Sequence, residues 1–145
     1  MKKQIALSLL GLLLLTSTYQ GYALSAVSDN ESFVGEWNGT AGDQRVDEQW
    51  RISHVNGKWA VFGYYFWNEK GVADNQKRTA GDLAGRFKGV NVKVEDGTLK
   101  FTQTFDEKPI GDWADTTNIE AQVKGDTITF KNQYVSDVKL KRDRH

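Results

Sequence analysis

Six of the nine residues from 59 to 67 are aromatic: Trp59, Phe62, Tyr64, Tyr65, Phe66 and Trp67. Aromatic side chains at alternate positions can line an apolar cavity or stack on a sugar or another planar ligand. The same rings can fill a core, and their volume makes core packing the ordinary fate of most of them. Tyr64 and Tyr65 point to opposite faces of an extended segment, so only one of the two can face an interior. If that interior holds a cavity, Trp50, Trp59, Tyr65, Phe101 and Gln103 are its candidate wall residues. Trp67 and Trp113 are the candidates for its mouth, where they would either flank an entrance or fold down as a plug.

Little else has the spacing of a reaction centre. The two histidines, His54 and His145, show no His-x-x-x-His spacing, and His54 beside a turn reads as a partly exposed polar residue. The absence of cysteine removes thiolate zinc sites, iron–sulfur clusters, disulfides and a cysteine nucleophile together. Asp106, Glu107, Asp112 and Asp115 gather in one segment but lack the Asp-x-Asp-x-Asp-Gly order of a calcium loop, so they read as a solvated acidic loop. There is no Gly-x-Ser-x-Gly elbow and no phosphate-binding glycine loop. A hydrolase carboxylate pair is set by spatial separation and leaves no mark in a sequence. The sequence thus assigns no catalytic residue, no metal ligand and no cofactor. With 19 basic against 19 acidic residues there is no basic excess of the kind nucleic acid selects.

The elements that would position the aromatic candidates are strands. Period-two patterning dominates after residue 32, and no long stretch has helical periodicity. Phe33, Gly35 and Trp37 alternate on a first strand; Trp50, Ile52 and His54 on a second. Asn56-Gly57 then joins this strand to a third over 59–67, the strongest short hairpin signal a sequence offers. Both faces of the third strand are apolar, which implies cover on both sides. Residues 68–82 read as a long loop. Leu83, Gly85 and Phe87 open a fourth strand whose phase changes before Val90, Val92 and Val94, placing a bulge at Lys88-Gly89. Asp96-Gly97 turns into a fifth strand carrying Leu99, Phe101, Gln103 and Phe105 on one face. After a loop over 106–116, Ile119 to Val123, Ile128 to Phe130 and Val138 to Arg142 supply three more. About eight sequential antiparallel strands without helical crossovers predict an all-β fold, an up-and-down barrel that leaves no free edges, with a two-sheet sandwich as the competitor. An eight-stranded barrel is just wide enough to be packed or to hold one small ligand.

The two ends of this pattern carry a resemblance. Gly35-Glu36-Trp37 is a Gly-x-Trp on the first strand, and the last strand, Val138-Lys139-Leu140-Lys141-Arg142, ends in a basic residue. The combination resembles the structural signature of lipocalin-type calycin barrels. That resemblance implies that Trp37 closes one barrel end, that Arg142 packs across it, and that Gly35 belongs to the same signature. It also implies a habit of small-ligand binding, without fixing a ligand.

Ahead of the barrel lies the layout of an export signal. Lys2 and Lys3 precede an apolar run of 11 residues, Ile5 to Leu15, and Gly21-Tyr22-Ala23 offers a small-x-small cleavage site. The run is too short for a bilayer span of roughly 20 residues. The expected organisation is a signal peptide at 1–23, a loose polar arm at 24–32 and a barrel domain at 33–145. Cleavage would leave 17 basic against 19 acidic residues, and the brevity and Lys pair of the leader imply a bacterial periplasm or the medium. Without cysteine, neither a lipid anchor on that residue nor a disulfide is available, so the core alone must hold the fold. Two functional readings follow. One is a non-enzymatic exported barrel that binds a small apolar or aromatic ligand. The other is a protein-binding module, an inhibitor or immunity-type partner acting through the arm and the long loops.

Overall fold

The period-two patterning closes on itself. In the computed structural model, which describes residues 30–135 and 137–145, eight strands follow one another around a closed antiparallel barrel in sequence order. They are β1 (Gly35–Thr40), β2 (Val46–Val55), β3 (Lys58–Trp67), β4 (Leu83–Glu95), β5 (Thr98–Glu107), β6 (Thr116–Lys124), β7 (Thr127–Lys131) and β8 (Val138–Arg142). The barrel, rather than the sandwich, is the architecture, and β1 pairs with β8 to close it. The barrel unit is Phe33–His145. The leader at 1–23 and the arm at 24–32 as far as residue 29 lie outside the described residues. Among the described residues no helix is long and apolar enough to cross a membrane.

The two ends of the barrel differ in their connections. At one end the strands are joined by the tight pairs Asn56-Gly57, Asp96-Gly97 and Gly125-Asp126. The first two pairs have positive φ at both residues, as the mirror-image hairpin turns require. At the other end lie all the longer connections, over 41–45, 68–82, 108–115 and 132–137. The short-turn end is sealed. Phe33 and Trp37 are fully buried there, and the Trp37 Nε1–H donates to the Phe33 carbonyl at 2.9 Å. The Arg142 guanidinium carbon sits 4.2 Å from the Trp37 ring centroid. Its Nη1 donates to the Val34 carbonyl at 2.7 Å, and its Nε pairs with Asp126 at 3.3 Å. A cation on an indole face is favourable, and here it is held by two further partners. The same guanidinium lies over Gly35: a Cβ at that residue, whose φ is +138°, would come within 2.8 Å of it. The structure is thus compatible with a calycin-like fold, with Arg142 packed against both Gly35 and Trp37.

Aromatic rings fill the middle. Trp50 makes edge contacts with Phe87 and Phe101 and tilts against Phe130. Gly63, opposite both Trp50 and Phe87 in the pairing, leaves the space that the Phe87 ring occupies; a Cβ there would overlap it at 1.8 Å.

Three sequence expectations are corrected. The phase change in β4 falls at Asn91 and Val92, which together face Phe101, rather than at Lys88-Gly89. Gly89 keeps the inward phase, and Asn91 takes the left-handed φ of +53°, which asparagine tolerates better than most residues. The outer face of β3 is not covered, and Phe62 is 49% exposed. The connection 68–82 contains a short helix, α1 (Glu69–Asp74), which Asn68 caps by accepting from the Gly71 N–H. Six residues are too few for periodicity to be seen.

Candidate functional site

The long-loop end opens into a cavity of about 440 Å3. Its floor comes from strands and its rim from three loops. Tyr65 of β3, Gln103 and Phe105 of β5, Thr117 of β6, Phe130 of β7 and Val138 of β8 supply inward side chains, because alternate residues of each strand face the axis. Ala41 to Asp43, Asp112 to Ala114, and Asn132 with Tyr134 and Val135 supply the rim. Trp113 sits edge-on to Tyr65 and Phe105, at 5.2 and 5.8 Å between ring centroids. Lys108 holds its loop by donating to the Trp113 carbonyl at 3.1 Å and pairing with Asp115 at 2.8 Å.

A polar chain runs beneath the aromatic wall. The Gln103 Nε2–H donates to the Tyr65 hydroxyl at 2.8 Å. That hydroxyl donates to Glu48 Oε1 at 2.9 Å, and the Trp50 Nε1–H reaches the same oxygen at 2.6 Å. Glu48 is 3% exposed. It is there because β2 begins at Val46, so Val46, Glu48, Trp50 and Ile52 share the inward phase. Loss of hydration pushes the Glu48 carboxyl up to about 7, against the pull of the two donated hydrogen bonds. The Tyr65 hydroxyl is held well above its usual range, first by burial and then by the adjacent carboxylate. At the rim, Asp43 is held below the usual carboxylate range chiefly by its hydrogen bond from Arg45, at 2.7 Å on Nη2, with a smaller contribution from Trp113.

The seven ligand-site candidates from the sequence separate spatially. Tyr65, Gln103 and Trp113 line the cavity. Trp50 lies one layer below and reaches it through Glu48. Phe101 is in the core, stacked on Phe87 at 6.2 Å. Trp59 is at the sealed end, stacked on His54 at 4.1 Å. Trp67 is at the rim but turned away from the cavity, packed against Gly71 of α1 and capped by Arg78 at 3.7 Å from its ring centroid. Sequence reading missed Glu48, Thr117 and Phe130. Extending the period-two pattern back from Trp50 would have found Glu48, whereas the others depend on which strands meet across the axis. A group not anticipated, Glu36, Asp143 and His145, brings one ligand atom each within 4.8 Å outside the sealed end. His145 is exposed there and pairs with Asp143 at 2.9 Å.

No protein-family model, curated protein or solved structure matches the chain.

Proposed function

We propose that this chain is an exported, non-enzymatic β-barrel that binds a small apolar or aromatic ligand in the open-end cavity. The observation that carries the reading is the cavity itself: about 440 Å3, aromatic-walled, with a few convergent polar groups on its floor. That volume falls within the range typical of small-molecule sites. The leader pattern at 1–23 supports export, and the protein then depends on no cysteine chemistry in an oxidising compartment.

Native mass spectrometry of the protein purified from its own envelope fraction tests this reading. A retained small molecule, lost on replacing Trp113 with alanine, is the expected result. A retained polypeptide in its place would overturn the reading in favour of an inhibitor or immunity-type role. N-terminal sequencing of the same sample should find the chain beginning after Ala23.

A further inference from the structure

The lining of the open-end cavity has a charge asymmetry. It contains three carboxylates, Asp43, Glu48 and Asp112, and no lysine, arginine or histidine. Two basic side chains border it and both are engaged, Arg45 by Asp43 in a two-point pair and Lys108 by the Trp113 carbonyl and Asp115. Five aromatic residues, Tyr65, Phe105, Trp113, Phe130 and Tyr134, share the wall with these acids. Aromatic faces beside carboxylates favour a cation over a neutral or anionic guest.

The geometry at Glu48 sharpens this. Both donors that reach it, Trp50 and Tyr65, converge on Oε1. Among the described residues no hydrogen bond to Oε2 accompanies them, and no buried side-chain oxygen is left without a partner, so Oε2 is the part of Glu48 open to the cavity it lines. The chain from Gln103 through Tyr65 fixes the carboxyl in place, since Tyr65 spends its donor on Oε1 and its acceptor on Gln103. A carboxylate oxygen with unused acceptor capacity in a cavity wall is complementary to an N–H donor on a ligand. A neutral Glu48 would instead offer an O–H to a carbonyl-bearing ligand. The aromatic wall decides against that, because ring faces favour a cation over a neutral carbonyl.

Resting on the small-ligand reading above, we infer that the ligand is a protonated amine on an apolar or aromatic body, its N–H seated on Glu48 Oε2. The titratable groups that share the cavity lining with Glu48 are Tyr65 from β3, Asp43 from the β1–β2 connection, where Arg45 pairs with it, Asp112 from the β5–β6 connection and Tyr134 from the β7–β8 connection. None of the cavity-lining groups among them is a cation that would compete with an amine. The Glu48 proton must leave for the amine to bind, so binding strengthens with pH. With the carboxyl at about 7 in the empty barrel, the ionised fraction rises about tenfold from pH 6 to pH 8, and the apparent affinity with it.

The test uses three matched fluorescent probes: 2-(1-naphthyl)ethylamine, 2-(1-naphthyl)ethanol and 3-(1-naphthyl)propionate, titrated into the full mature protein at pH 6 and pH 8. The expected result at pH 8 is amine binding at least tenfold tighter than the alcohol, and weakest binding of the carboxylate. The amine should weaken about tenfold at pH 6 while the alcohol stays constant. Glu48→Gln should weaken the amine about tenfold at pH 8 and remove its pH dependence. Equal binding of all three probes, or preference for the carboxylate, would overturn the amine inference and leave the small-ligand reading standing. No binding of any probe at millimolar concentration would remove both. The pH comparison on the unmodified protein keeps the test decisive should Glu48→Gln fold poorly.

Discussion

Replacing Glu48 with glutamine should make the empty barrel more stable at pH 8 and remove a pH dependence that the native protein carries. The carboxyl titrates at about 7 in the folded barrel and at 4.5 without the fold's influence. Between those values the folded state holds a proton that the unfolded state has lost. The unfolding free energy therefore falls as pH rises through this window. At about 1.4 kcal/mol per unit, the full loss is about 3 kcal/mol, complete above pH 7. Glutamine keeps an oxygen for Trp50 and Tyr65 to donate to and cannot ionise. Urea unfolding followed by tryptophan fluorescence at pH 5, 6, 7 and 8 measures the effect. A difference of about 3 kcal/mol corresponds to roughly 1–3 M in the urea midpoint. Subtracting the variant from the native protein at each pH isolates Glu48 from every other titration. Parallel midpoints for the two proteins across this range would refute the account of a carboxyl buried and desolvated beside Trp50.

Three further outcomes are expected. Gly63→Ala should destabilise the fold by about 1–3 kcal/mol or more, because its methyl needs space held by the Phe87 ring; thermal unfolding monitored by circular dichroism would show a lowered midpoint, and an unchanged one would contradict the packing described. Arg142→Ala should cost about 2 kcal/mol, combining a cation–aromatic contact with a charge-assisted bond to the Val34 carbonyl; the Asp126 pair is half-exposed and adds little. Asn91→Val should cost about 1–2 kcal/mol from its left-handed backbone alone, whereas Asn91→Gly should be tolerated, a contrast readable from denaturant midpoints.

The strands were legible because each face repeats every second residue and most turns carry their own chemistry. Asn56-Gly57 and Asp96-Gly97 end up as the tight turns expected of them. The bulge was displaced because glycine is the obvious residue for an irregular backbone, while the structure uses Asn91 and keeps Gly89 inward, where Val61, Val92 and Phe101 crowd it. The site was legible only in part. Tyr65 and Gln103 follow from strand phase alone, but Trp59 shares that phase and lies at the wrong height on the barrel axis, which alternation does not encode. Trp67 sits at the rim but is turned outward by α1 and Arg78, which lie in a segment whose sequence reads as loop. Glu48 was passed over because a charged residue next to Asp47 looks like a solvated turn, and its burial depends on partners 2 and 17 positions away.

Phe33 to Gly35, where the backbone comes into the cylinder, and Arg142, where it goes out, share one pole, since β1 and β8 are neighbours and Trp37 is paired with Arg142. Whatever is attached downstream, whether a tether, a fused domain or an immobilising tag, is thus joined at the pole away from the cup. A surface coated with this protein through its C-terminus would present its receptacle to the surrounding liquid, and joining β8 to β1 by a short linker would free any of the three tight turns to serve as new termini.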